Sequence, residues 1–173
     1  MIKDWLKLIR NQVLICMFIF SGTINAGDKI AILSFELNDI TSLPNTKQEH
    51  ERTASIKPLL EQAIKQRGDY KIIKISSERQ RAENAGIGYL FKFHDVAAQL
   101  AKEVSADWVI VGQHSKPSFL YSYLIANLIN VKTKKRIARF DIEMKGNHQK
   151  VTLRGVQTLS RKIDKIIVTL GNK

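Results

Sequence analysis

Ala106-Asp107-Trp108-Val109-Ile110-Val111-Gly112 is the stretch on which the reading of the fold turns. Trp108 to Val111 is a short, continuous apolar run, the pattern of a strand buried on both faces. Gly112 marks a bulge or a close backbone approach, and Pro117 stops the ladder in the next connection. Phe119 to Val131 follows, long for a single strand but suited to a hairpin whose turn is Lys132-Thr133-Lys134-Lys135. Ile137 to Lys145 then alternates, with Ala138, Phe140, Ile142 and Met144 on one face and Arg139, Asp141, Glu143 and Lys145 on the other. One face of that strand is wet, as expected at a sheet edge.

Upstream, Lys29 to Phe35 reads as a central strand. Glu36 to Glu49 is a polar loop rich in turn formers: Asp39, Thr41, Ser42, Pro44 and Asn45. It leaves the end of a buried strand, where α/β domains build sites, so it is both a connector and a candidate binding loop. Ile56, Leu59, Leu60, Ala63 and Ile64 recur at helical spacing. Ser55 is the expected cap, with Pro58 in the first turn and Gly68 as a left-handed stop. Tyr70 to Ile75 is the second strand, joined to the first by a right-handed crossover.

Ser76 to Tyr89 reads as a mobile charged loop closed by Gly86-Ile87-Gly88. The glycine pair lacks the third glycine and the preceding strand of a dinucleotide-binding turn. A second helix runs from Asp95, as cap, to Val104, with Phe91 and Phe93 plugging the core at its entry. The last helix turns Val156, Leu159, Ile163, Ile166, Ile167 and Leu170 inward and stops at Gly171. The expected fold is therefore a single α/β domain of order β-α-β-α-β-β-β-α. Its mixed five-stranded sheet is ordered 2-1-3-4-5, with helices packed on both faces.

The amino terminus stands apart from this domain. Lys3, Lys7 and Arg10 precede an apolar run from Val13 to Phe20, then small residues up to Ala26. That is the layout of a secretory signal peptide cut after Ala26, and the run is too short to span a bilayer. The expected division is a signal peptide, 1–26, and one periplasmic domain, 27–173, with no stable membrane span after cleavage. Ile15 before Cys16, inside the apolar run, does not suit lipidation. Cutting removes the lone cysteine, which leaves no disulfide. It also removes three Lys or Arg and one Asp, taking the formal charge from +12 to +10. So basic a domain suits either plain solubility or an anionic envelope surface. Export and the lack of a recognition helix or aromatic platform argue against nucleic acid.

No catalytic constellation is visible. No serine sits in a Gly-x-Ser-x-Gly elbow. His50, His94, His114 and His148 lack metal-ligand spacing, although His94 and His114 could meet at one end of the sheet. No enzyme, metal or cofactor is expected. Phe119, Tyr121 and Tyr123 form an aromatic stripe, read first as core under the last helix and second as a partner-docking surface. With Lys132, Lys134 and Lys135 they are the candidate partner-binding residues.

Ser105 to Gly112, the long strand ending Asn130-Val131, Arg136-Ile137-Ala138 and Lys145-Gly146-Asn147 resemble a family of exported bacterial domains of unknown function, numbered 2380 and 3280. The pattern there is a Gly-Ala-Asp-Tyr-Val strand, a long strand, a Thr-Gly turn and a Gly-Asn before the last helix. This chain has Thr133-Lys134 in place of Thr-Gly, and Gly86-Ile87-Gly88-Tyr89 where members carry a cysteine pair. The element order is distantly similar to the amino-terminal domain of the Tol translocation protein and the curli-pore periplasmic domain. The signal peptide, the missing catalytic constellation, the basic charge and this resemblance to envelope interaction modules together point to a non-enzymatic periplasmic accessory protein that binds another envelope component, a protein or an anionic surface. The alternative is a small-ligand binder using loops 36–49 and 76–89. The oligomeric state is left open.

Overall fold

Trp108–Lys116 (β4) runs through the middle of the sheet and is buried throughout Trp108–Val111. In the computed structural model, which describes residues 27–44, 46–146 and 149–171, it has parallel partners on one side and an antiparallel partner on the other. The elements before it are Lys29–Ile32 (β1), Glu36–Asp39 (β2), Lys47–Lys65 (α1), Lys71–Ile73 (β3), Ser77–Glu83 (α2), Tyr89–Lys92 (α3) and His94–Lys102 (α4). After it come Tyr121–Asn130 (β5), Lys135–Lys145 (β6) and Gln149–Gly171 (α5). The expected signal peptide, 1–26, and His148 lie outside the described residues.

The sheet order β3-β1-β4-β5-β6 is the expected 2-1-3-4-5 path, with β2 added as a sixth strand beside β4. Glu36–Asp39 is thus no loop but a strand. Polar side chains obscured it, since only Asp39 among them is fully buried. From Ile32 to Glu36 the chain takes four steps while β4 takes three, from Ile110 to Gln113. The extra residue lets the Phe35 ring lie over Gly112, where a Cβ would come within 2.1 Å of it. Gly112 therefore marks a close approach, as expected.

Two apolar layers flank the sheet. On one face Ile30, Ile32, Trp108, Ile110, Leu124 and Ile142 pack under α1 and α5. On the other Ala31, Leu33, Val109 and Val111 meet Leu90, Ala97 and Leu100 of α3 and α4. β6 alternates as predicted, with Phe140, Ile142 and Met144 buried between exposed neighbours.

Several helix boundaries differ from the sequence reading, each for a local reason. α1 starts two turns earlier, capped by Thr46, whose hydroxyl accepts the Glu49 N–H at 3.3 Å. Pro58 is consequently interior, and Ser55 donates to the Arg52 carbonyl rather than capping. Gly68 is not left-handed; it makes room for the Tyr70 ring, which a Cβ would approach to 3.2 Å. Ser76–Tyr89 is not a bare loop. It holds α2, capped by Ser76, and no apolar period revealed it because its buried residue is Gln80. α4 begins at His94, with Asp95 in its first turn and not at the cap. Phe91 packs on the core, whereas Phe93 and Leu170 are partly exposed, at 42 % and 39 %.

Candidate functional site

Where β2 and β4 end, eight charged or polar side chains are buried together. Lys116 Nζ lies 3.1 Å from Glu49 Oε1 and 3.8 Å from Asp39 Oδ2. Arg52 Nη1 lies 3.5 Å from Glu49 Oε2. The Arg52 Nε donates to Thr152 Oγ1 at 2.7 Å, and its Nη2 reaches Ser122 Oγ at 3.3 Å and the Gly146 carbonyl at 3.4 Å. His114 completes the group through Thr53, at 2.8 Å. This one knot joins β2, α1, β4, β5, the end of β6 and the first turn of α5.

Desolvation lowers the Arg52 pKa, with Glu49 pulling the other way. Burial and then the Arg52 charge lower His114 to about 4. An ion cluster so placed is costly to desolvate, and its members hold one another in fixed positions. Beside it, main-chain bonds tie Ile40 and Leu120 at this end of the sheet. The Ile40 N–H donates to the Lys116 carbonyl at 3.2 Å, and the Gly146 N–H to the Leu120 carbonyl at 2.7 Å. Outside these ties the apolar side chains point to water: Ile40 is 71 % exposed, Leu43 68 %, Leu120 77 % and Phe119 48 %.

The candidate partner-binding residues separate into two groups. Phe119, Tyr121 and Tyr123 belong to this end, with the Tyr121 and Tyr123 rings edge to face at 5.7 Å. They are not core under the last helix. Ser122, Leu124, Ala126 and Leu128 take that face, so the tyrosines lie on the opposite one, Tyr121 exposed and Tyr123 half-buried. Lys132 and Lys134 sit in the turn at the other end of β5, and Lys135 opens β6 there. Nine strand steps, about 30 Å, separate the groups.

Segments 36–49 and 76–89 do come together. Glu36 accepts the Asn84 amide at 2.8 Å and the Gly88 N–H at 2.6 Å, the latter from a left-handed glycine. The Gln80 carboxamide brackets Ser34, accepting its N–H at 2.8 Å and donating to its carbonyl at 3.0 Å. Between β2, α1 and α2 lies an open groove of about 880 Å³ whose lining includes Glu36, His50, Lys57 and Ile87. His94 and His114 do not meet: His94 lies beside Asn127, over the face opposite the Thr53–His114 pair. Among the described residues no group of three or more His, Cys, Asp or Glu is arranged to hold a metal, and no helix is long and apolar enough to cross a membrane.

The sequence reading missed the buried knot. Its signal was periodic: Glu49, Arg52 and Thr53 extend the inward stripe of Ile56, Leu60 and Ala63. His114 and Lys116 likewise continue the inward positions of Trp108, Ile110 and Gly112.

Comparison with known proteins shows similarity at two levels. The sequence pattern of a family described as "Protein of unknown function (DUF2380)" matches residues 28–163. No curated protein matches the chain. Among solved structures, the fold is similar to the PelC dodecamer from Paraburkholderia phytofirmans (14 % identity, TM-score 0.51, 77 % of this chain and 84 % of that one). Others are the LpoB C-terminal domain from Escherichia coli (17 %, 0.49, 78 % and 94 %) and TolB from Acinetobacter baumannii (15 %, 0.46, 82 % and 27 %). At such identities the likeness is one of fold.

Proposed function

The chain belongs to this family of proteins of unknown function (DUF2380), and from that premise we propose that it is a non-enzymatic accessory protein of the cell envelope, binding another envelope protein. The observation that carries the reading is the set of exposed apolar residues, Ile40, Leu43, Phe119 and Leu120, beside a buried ion cluster, with Ile40 and Leu120 tied through the main chain. Apolar anchors held on a rigid frame lose little conformational freedom on docking, and aromatic anchors dominate interface energetics. Tyr121 and Tyr123 extend the surface along β5. The signal-peptide pattern of residues 1–26 supports an envelope location. The PelC structure is a dodecamer, so a second copy of the chain is one partner to test.

The experiment is capture from envelope extract by the full chain, followed by binding measurements with each captured protein after purification. Phe119→Asp/Leu120→Asp is expected to weaken that binding by about tenfold or more, while Lys162→Glu/Lys165→Glu on the outer face of α5 leaves it unchanged. Light scattering of the same variants reads self-association. Binding and oligomeric mass both unaffected by the Phe119 and Leu120 substitutions would refute the reading.

A second reading, a small ligand held by segments 36–49 and 76–89, is favoured by their meeting around one groove. It predicts a thermal shift with a single metabolite and no protein partner, abolished by Asn84→Asp, which sets a second carboxylate against Glu36.

A further inference from the structure

At the opposite end of the sheet, Lys29, Lys102, Lys132 and Lys134 line one cleft of about 710 Å³. They come from unrelated parts of the chain: the first residue of β1, the last of α4 and the β5–β6 turn. Two carboxylates, Asp28 and Asp107, share the lining. Asp107 Oδ2 is engaged by the main chain, accepting the Lys29 N–H at 2.9 Å. Among the described residues no carboxylate is close enough to form an ion pair with any of the four ammonium groups. Lys134 holds its place in a left-handed conformation, φ 57°, that glycine would adopt without strain.

We propose that this cleft binds a multiply charged anion of the phosphate-ester class. Unpaired like charges repel one another, and an anion seated among them removes that repulsion. No arginine lines the cleft, so the flat two-pronged grip that favours a carboxylate is missing. Lysine ammonium groups act as point charges that can surround a tetrahedral phosphate from several directions. A cleft of this volume accepts a small phosphate ester or one lipid headgroup. The site lies at the far end of β4 from the apolar surface, so it stands or falls independently of the function proposed above.

The test uses the full chain with two probes, glycerol phosphate in solution and vesicles of phosphatidylglycerol in phosphatidylcholine, with pure phosphatidylcholine as blank. Lys102→Glu/Lys134→Glu is compared with Lys162→Glu/Lys165→Glu, which changes net charge equally but lies on α5. The expected result is binding that weakens with salt and falls about tenfold in the cleft variant alone. Cleft-dependent binding of the soluble probe identifies a free phosphate ester as the ligand; cleft-dependent binding of vesicles only identifies a headgroup, and either supports the site. Lys134→Gly, which removes one charge while easing the turn, repeats the comparison should the double variant fail to fold. No binding of either probe, or equal loss in the cleft and α5 variants, would overturn the proposal.

Discussion

His114 Nδ1 lies 2.8 Å from the Thr53 hydroxyl, which itself donates to the Glu49 carbonyl at 2.8 Å. A hydroxyl carries one proton, so the ring nitrogen is the donor and His114 is the neutral Nδ1–H tautomer. Its Nε2 is buried and has no hydrogen-bond partner among the described residues. Protonating that nitrogen would place a new positive charge between Arg52 and Lys116, with Glu49 and Asp39 offsetting it only in part.

This gives stability a dependence on acid. The pKa of His114 falls from 6.5 to about 4 on folding. Between those values the unfolded chain binds more protons, so stability is full above the upper one and is lost as pH drops toward the lower. The slope from this group reaches about 1.4 kcal/mol per pH unit. Urea unfolding across the window should show a steeper pH dependence for wild type than for His114→Gln; equal slopes would mean that folding leaves the His114 pKa unchanged.

Lys116 is the cation shared by Asp39 and Glu49. Lys116→Met keeps the apolar stem and removes the charge, leaving buried carboxylates undercompensated. A loss of about 3 kcal/mol is expected, read as a lower urea midpoint with an unchanged slope. A neutral outcome would mean that water reaches the knot.

Gly112 and Phe35 should be coupled. Gly112→Ala drives a methyl group into the ring and should cost about 2 kcal/mol. With Phe35→Leu in place the same change should cost distinctly less, a non-additivity that a double-mutant cycle in thermal or chemical unfolding measures.

Ser105 and Lys134 are the described non-glycine residues with positive φ, 56° and 57°. Ser105 closes α4: its N–H bonds the Lys102 carbonyl at 2.9 Å and the Ala106 N–H bonds that of Ala101 at 3.1 Å, a Schellman arrangement that favours glycine. Ser105→Gly and Lys134→Gly should each raise stability by up to about 1 kcal/mol, the relief of left-handed strain exceeding the added freedom of the unfolded chain. Unfolding midpoints of the two variants check this. Lower midpoints for both would mean that side-chain contacts outweigh the strain.

Read alone, the chain already specified the sheet path, the buried central strand, the edge character of Ile137–Lys145 and a bulge or close approach at Gly112, though not that Phe35 makes it. Each of these follows from local pattern: an apolar run, strict alternation, or a missing Cβ. The β5–β6 turn was legible in the same way, since Lys132 to Lys135 is the polar break between two apolar strands. What pattern could not reveal is where polar residues face. Glu36 to Asp39 looks like a loop because its polarity says nothing of the backbone pairing that makes it a strand.

The same blindness hid both ends of the molecule. Asp39, Glu49, Arg52 and Lys116 are each unremarkable as surface charges, and burial becomes tolerable because three elements, β2, α1 and β4, bring opposite signs to one point. Lys29, Lys102, Lys132 and Lys134 are spread over a hundred residues and face one cleft only once β1, α4 and the hairpin are packed. Electrostatic energy depends on distance in space, which sequence separation does not encode, whereas hydrophobic periodicity is written into neighbouring positions. The scaffold was therefore readable along the chain, and the placement of charge had to wait for its folding.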